Sequence, residues 1–142
     1  MHVGDRYSDF FEFFTACRTL QSDFLVRAAQ DRCVHDERGE GDHLLRLARR
    51  LPAQGERTLK LRGKAGQPAR EARLRIAFTA TTLLPPKHPD RREKPALPLQ
   101  GWIVRVWEVD APVEASEPVE WVLVTSVPTE TPEAAWERVA WY

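Results

Sequence analysis

At Arg57 the spacing of apolar residues switches from a helical period to a strand period, and that switch limits what this chain can fold into. Upstream of it, Phe10, Phe13, Phe14, Cys17 and Leu20 recur as one buried helical face, predicting a helix over Ser8–Leu20. Asp9 followed three residues later by Glu12 resembles a capping box. Phe24-Leu25-Val26 is a short unbroken apolar run of the kind found in strands covered on both faces. Leu44, Leu45, Leu47, Ala48 and Leu51, closed by Pro52, predict a second short helix over Asp42–Leu51. The polar Asp31–Gly41 stretch before it reads as a loop.

Downstream of the switch, Leu59 and Leu61 alternate with Lys60 and Arg62. After a turn containing Gly63, Gly66 and Pro68, Ala72, Leu74, Ile76 and Phe78 alternate with Arg73, Arg75 and Ala77. The pattern predicts two antiparallel strands with one apolar and one strongly basic face. Pro85–Pro98 holds five of the eleven prolines together with His88, Arg91, Arg92 and Lys94, and reads as an exposed, semi-rigid loop. Two further strands, Trp102–Val109 and Val119–Thr125, are expected on either side of the acidic Pro112–Pro118 connection. Thr131 as cap, Pro132 and Glu133 open a final helix over Pro132–Tyr142 with Trp136, Val139 and Ala140 as its apolar stripe. That helix meets no stop signal, and Val3-Gly4-Asp5 looks like the end of a strand, so both termini read as cut from something larger.

Charge narrows the partners. Lys+Arg and Asp+Glu both number 21, which excludes a uniformly basic nucleic-acid binder but not local basic patches. From Arg57 to Arg75, seven basic residues (Arg57, Lys60, Arg62, Lys64, Arg70, Arg73, Arg75) face one acid, Glu71. From Val106 onward the balance reverses, with eight acids against Arg138. Two readings follow: an anionic partner at the basic end, or two ordinary solvated faces. A hydrophobic fraction of 42% supports a packed core. No apolar run approaches the ~20 residues that span a bilayer, and no signal-peptide core is present. Cys17 and Cys33 cannot build a disulfide scaffold and read as free, mostly buried thiols in a reducing, cytoplasmic setting.

Few side chains carry chemistry by spacing alone. His2, His35, His43 and His88 are scattered and read as surface residues. Cys33 and His35 lack an orienting third group, and no phosphate-cradling or nucleophile-elbow motif is present. Asp5 follows an apolar strand and precedes a helix, at the edge of an α/β sheet where ligands gather, and carboxylates there suit Mg²⁺. Trp121 is either a core aromatic or a stacking platform for a nucleobase.

Taken in order, these segments resemble the middle of a bacterial DDE-type cut-and-paste DNA transposase, of the insertion-sequence group that excises its element through DNA hairpins. Asp5-Arg6-Tyr7-Ser8-Asp9 resembles the family's Asp-Arg-Glu-Ala-Asp box, with Tyr7 and Ser8 as departures. Phe24-Leu25-Val26-Arg27 is similar to its next strand, Gly66-Gln67-Pro68-Ala69-Arg70-Glu71-Ala72-Arg73-Leu74 to the hairpin of its β-rich insertion, and Trp121-Val122-Leu123-Val124-Thr125-Ser126 to an insertion-domain strand. Tyr142 falls where the family's Tyr-(2)-Arg-(3)-Glu-(6)-Lys signature begins.

The resemblance implies an α/β (α+β) chain: an incomplete ribonuclease-H-like fragment over residues 1–30, a mostly antiparallel β insertion domain over 31–128, and over 129–142 the start of the helix that returns to the catalytic core. It implies Asp5 as a catalytic and metal-binding carboxylate, one of the three that hold two Mg²⁺ or Mn²⁺ ions in the full-length family. Arg27, Arg70, Arg73, Arg75, Trp121 and Tyr142 become DNA-binding residues, with Trp121 receiving or supporting a flipped base and Tyr142 touching a phosphate. The implied partners are transposon-end and hairpin DNA, with a homodimer in the full-length family and no membrane, in the bacterial cytoplasm at the nucleoid. With one carboxylate of three, the chain alone is expected not to cleave DNA. Two other classes stay open: a standalone DNA-binding or transposase-associating module, and a folded scaffold or gene remnant without a nucleic-acid role.

Overall fold

The computed structural model describes residues 1–9, 11–63, 69–86, 97–111 and 118–142. The chain runs β1 (His2–Gly4), a single 3-10 turn (Arg6–Ser8), α1 (Phe11–Thr19), β2 (Phe24–Arg27), β3 (Cys33–His35) and β4 (Gly41–His43). It continues through α2 (Leu44–Arg50), β5 (Gly55–Leu61), β6 (Arg70–Leu83), β7 (Leu99–Val109), β8 (Glu120–Thr125) and α3 (Pro132–Trp141). The fold is therefore mixed α+β with a mostly antiparallel sheet and a C-terminal helix, as expected at that level.

The eight strands among the described residues join one sheet in the order β1-β2-β8-β7-β6-β3-β4, with β5 on the same edge of β6 as β3. Among the described residues only β1 and β2 run parallel, and α1 connects them. The sheet crosses the anticipated boundary at residue 30, because Leu25, Val26 and Arg27 of β2 pair with Thr125, Val124 and Leu123 of β8. Side chains lace that seam: Thr125 Oγ1 donates to the Phe24 carbonyl (2.7 Å), and the Phe24 amide donates to Ser126 Oγ (2.9 Å).

The alternation of β2 sends Phe24 and Val26 into one core and Leu25 into the other, so the unbroken apolar run is indeed covered on both faces. On one face α1 and α2 pack Phe11, Phe14, Cys17, Leu44, Leu47 and Ala48 onto Val34, Leu83, Ile103, Val122 and Val124. On the other, α3 sets Ala135, Trp136 and Val139 on Leu25, Leu74, Ile76, Val104, Val106 and Leu123. Thr131 Oγ1 accepts from the Ala134 amide (3.1 Å), the cap that the sequence announces. Gly55 lies under α3, where an added Cβ would meet Ile76 at 3.1 Å and the Trp136 indole nitrogen at 3.4 Å.

Three local expectations are corrected. Helix α1 buries Phe11, Phe14 and Cys17 while Leu20 is 73% exposed, so the stripe is rotated from the anticipated one; consecutive phenylalanines allow either phase, and Phe10 lies outside the described residues. Asp31–Gly41 is not all loop: Cys33–His35 pairs with Gly41–His43 as a small hairpin whose outer strand edge meets β6 at Val34↔Leu83. Asp9 does not cap α1. Its carboxylate accepts from the Ala29 and Gln30 amides (2.6 and 2.8 Å) and from Arg32 (2.5 Å), and is 0% exposed. Arg32 in turn covers the Phe14 ring, 5.1 Å from its centroid. The turn residues 64–68, the centre of the Pro85–Pro98 segment at 87–96 and the acidic connection 112–117 lie outside the described residues.

Phe14 is fully buried and stacked on Phe24 with centroids 4.5 Å apart. Phe14→Ala is expected to cost about 3–5 kcal/mol in denaturant unfolding, the usual range for a buried Phe-to-Ala truncation. Gly4→Ala is expected to destabilise by about 1–3 kcal/mol, because its Cβ would stand 2.5 Å from Ser8 Cβ at the turn that carries Asp5. An unchanged transition midpoint in either variant would contradict this packing.

Candidate nucleic-acid interface

The β6–β7–β8 register decides which predicted site residues can meet. Alternation along β6 places Ala72, Leu74 and Ile76 toward α3, so Arg73 and Arg75 point to the face that carries α1 and α2. Trp121 packs beside Leu123 on the α3 face, opposite Val106. The sheet thus separates Arg73 and Arg75 from Trp121.

On the α3 face, three predicted residues, Arg27, Trp121 and Tyr142, fall at one end of the sheet, and Asp5 is the backbone position beside Arg27. Gly4 and Val26 are the last paired residues of the parallel β1–β2 ladder, so Asp5 and Arg27 are the next positions at the C-terminal ends of neighbouring strands. Arg27 is half-buried, opposite Leu123 in register, and its Nη2 donates to the Glu120 carbonyl (3.4 Å), immediately before Trp121. Trp121 is half-buried, and Tyr142 lies edge-to-face with it at 6.0 Å between centroids. Tyr142 remains 38% exposed and Trp141 40%. Helix α3 delivers Tyr142 there, and Arg138 holds the preceding loop: its Nη2 donates to the Pro128 carbonyl (2.8 Å) and its guanidinium covers Trp141 at 4.4 Å. Trp121 is therefore neither sealed in the core nor fully free; one aromatic surface is shared between Trp121 and Tyr142.

The basic strand is less basic in space than in sequence. Arg70 makes a two-pronged pair with Glu108, whose side chain is 1% exposed and also accepts from the Val119 amide (3.1 Å). Arg73 and Arg75 both bond Glu56, and Arg73 reaches Asp110 at 3.0 Å. Three of the four arginines assigned to DNA contact, Arg70, Arg73 and Arg75, are thus paired with carboxylates, and the fourth, Arg27, bonds a backbone carbonyl. The sequence reading missed these partners because Glu108 and Asp110 belong to the acidic C-terminal stretch; the β6–β7 register brings that stretch against the basic one. It also missed Arg49 and Arg105, which share Glu120: Arg49 Nη2 lies 2.8 Å from Oε1, and Arg105 Nη2 2.8 Å from Oε2. Their only sequence signal is the position of Arg105 opposite the apolar alternation of β7.

Hydrogen bonds from arginines hold all three glutamates below the ordinary carboxylate range. Arg73 is the main cause at Glu56, Arg70 at Glu108 and Arg49 at Glu120, each partly opposed by desolvation. Burial pushes the Cys17 thiol up, as expected of a buried cysteine, whereas Cys33 is exposed rather than buried. Among the described residues no three His, Cys, Asp or Glu side chains are grouped to hold a metal ion. No two-metal site is therefore grouped among the described residues. Among the described residues no helix is long and apolar enough to cross a membrane. No protein-family model and no curated protein sequence matches the chain.

The lowered glutamates set a direction for acid stability. A carboxylate with a folded-state pKa below its unfolded value stabilises the fold above the unfolded value and loses that contribution as pH falls through the folded one. The melting temperature is therefore expected to drop as pH falls below about 4.3, the unperturbed glutamate value. Glu108→Gln, which replaces the most buried of the three, is expected to melt lower at pH 7 and to lose less on acidification. An acid profile identical to that of the parent protein would show that the Arg70–Glu108 pair is not formed.

Proposed function

We propose that this chain is a segment of a DDE-type DNA transposase that contacts transposon-end DNA. In this reading β1, α1 and β2 are a fragment of a ribonuclease-H-like core, the strands from β5 to β8 belong to its β-rich insertion, and α3 begins the helix returning to the core. The observation that carries the proposal is the gathering of Arg27, Trp121 and Tyr142 at one end of the α3 face, with Asp5 at the next position of the neighbouring parallel strand. A parallel βαβ start that places a carboxylate at the strand's C-terminal end is the usual site of phosphate chemistry in open α/β sheets. An arginine beside an accessible tryptophan and tyrosine suits an unpaired nucleotide, with the guanidinium taking phosphate and the ring taking the base.

The chain's own residues bind and orient in this scheme. Arg27 sits where it neutralises a backbone phosphate next to Trp121, and Trp121 and Tyr142 offer a stacking surface to a base displaced from its helix. With a Mg²⁺ or Mn²⁺ ion bound, Asp5 would be one oxygen ligand, and the site would need further carboxylates that the described residues do not group. A second reading, a folded unit in which the strand arginines serve only cross-strand pairing, draws on the pairing of Arg70, Arg73 and Arg75 with Glu108, Glu56 and Asp110.

Binding to hairpin-ended and blunt duplex DNA separates the two. Trp121→Ala is expected to weaken hairpin binding by about tenfold, toward the lower end of the ~1–3 kcal/mol of one stacked base, with a smaller effect on blunt duplex. Equal affinity for hairpin and duplex, unmoved by Trp121→Ala, would favour the scaffold reading. With Mg²⁺ or Mn²⁺ and duplex DNA the chain alone is expected to show no nicking; cleavage abolished by Asp5→Ala would overturn the account of Asp5 as one ligand among missing partners.

A further inference from the structure

The α2-side face of the sheet carries a row of residues that the α3-side site does not use. Glu56 of β5, Arg75 of β6, Trp107 of β7 and Glu120 of β8 are mutually in register across four adjacent strands. At strand spacings of ~4.8 Å the two glutamates stand roughly 14 Å apart. Each is shared by two arginines: Glu56 by Arg73 and Arg75, Glu120 by Arg49 and Arg105. Trp107 lies between these pairs, half-exposed, with the Arg105 guanidinium carbon over its ring, 4.3 Å from the centroid.

The arginines keep donors in reserve. Arg75 bonds Glu56 through Nε alone, so among the described residues both its Nη groups lack a partner. Arg49 spends Nε and Nη2 on Glu120 and leaves Nη1; Arg73 spends Nε and Nη1 and leaves Nη2. Arg49, Arg73 and Arg75 are 55%, 49% and 42% exposed, so water screens their pairs and little holds them closed. This contrasts with Arg70, whose partner Glu108 is buried. Partly exposed guanidinium forks with donors to spare match the oxygens of a phosphodiester, and two such nodes call for an anion that repeats along its length.

We propose that this face is a second nucleic-acid contact surface, in which Arg49 and Arg75, supported by Arg105 and Arg73, take two backbone phosphates in competition with Glu120 and Glu56. The proposal rests on the DNA-binding reading above and adds to it a surface on the opposite side of the sheet, together with an internal competitor. Glu56 already offsets the charge of Arg73 and Arg75 that would attract a phosphate to their remaining donors; it therefore limits affinity rather than creating it.

Fluorescence anisotropy with a blunt duplex, titrated between 50 and 200 mM salt, tests this. Arg49→Gln combined with Arg75→Gln is expected to reduce the slope of log K against log salt by about 1.8, since each phosphate contact contributes ~0.9. Glu56→Gln is expected to tighten binding at least about threefold more than Glu133→Gln, which makes the same charge change at an exposed position on α3. Melting temperatures of the variants show that each is folded. Unchanged slope in the double variant, or equal tightening by Glu56→Gln and Glu133→Gln, would overturn the proposal while leaving the Trp121 response to carry the transposon-end reading. If the arginine and glutamate effects hold and Trp121→Ala is silent on hairpins, this surface stands and that reading falls. Absence of duplex binding at 50 mM salt would remove both, and binding displaced equally well by polyglutamate would remove the assignment to nucleic acid.

Discussion

Eleven consecutive paired positions join β6 to β7, from Arg73↔Val109 to Leu83↔Leu99, and nearly every other feature of the molecule is placed by that ladder. A one-residue slip would exchange the faces of all their side chains, exposing Leu74, Ile76, Val104 and Val106 and burying Arg73, Arg75 and Arg105. The cost of burying those guanidiniums fixes the register. The ladder carries α3 on one face and α2 on the other, accepts β5 and β3 along the same edge of β6, and passes through β8 to β2 and the parallel β1.

The same register disposes of the charge asymmetry. Along the chain, basic residues crowd before Arg75 and acidic ones after Val106; in the sheet the two stretches lie against each other. Arg70 meets Glu108 and Arg73 meets Asp110 across β6–β7, while Glu56 of β5 serves Arg73 and Arg75. A segregated sequence thus becomes an interleaved surface, and a neutral total needs no external polyanion to be stable. The pairs differ in kind, however. Glu108 is withdrawn from water, so Arg70 is committed to it, whereas Glu56 and the arginines around it are open enough to exchange partners.

Position in the sheet also sorts the candidate site. Asp5 and Arg27 are adjacent because β1 and β2 run parallel, and Arg27 reaches the residue before Trp121 because β8 runs antiparallel to β2. Tyr142 reaches Trp121 because α3 lies across the ladder with Trp136 and Val139 buried beneath it. The buried Asp9–Arg32 pair fixes the backbone following β2, so the strand end that presents Arg27 is held from both sides.

Hydrophobic periodicity by itself determined the element types: the two short helices before Arg57, the alternating strands after it, the doubly buried Phe24–Val26 run and the capped final helix are local patterns, and local patterns need no partner to be read. Helix phase escaped it at Phe10–Phe14, where four phenylalanines around Glu12 satisfy two faces equally, and so did the Cys33–His43 hairpin, whose strands are three residues each and exist through pairing with β6. Asp5, Trp121 and Tyr142 stood out by residue type and setting, yet their neighbourhood did not. Which arginine faces which carboxylate, and which side of the sheet each occupies, follows from strand register and helix packing between residues as much as 71 positions apart, and only the tertiary structure decides that because cross-strand distance is not encoded in any single segment.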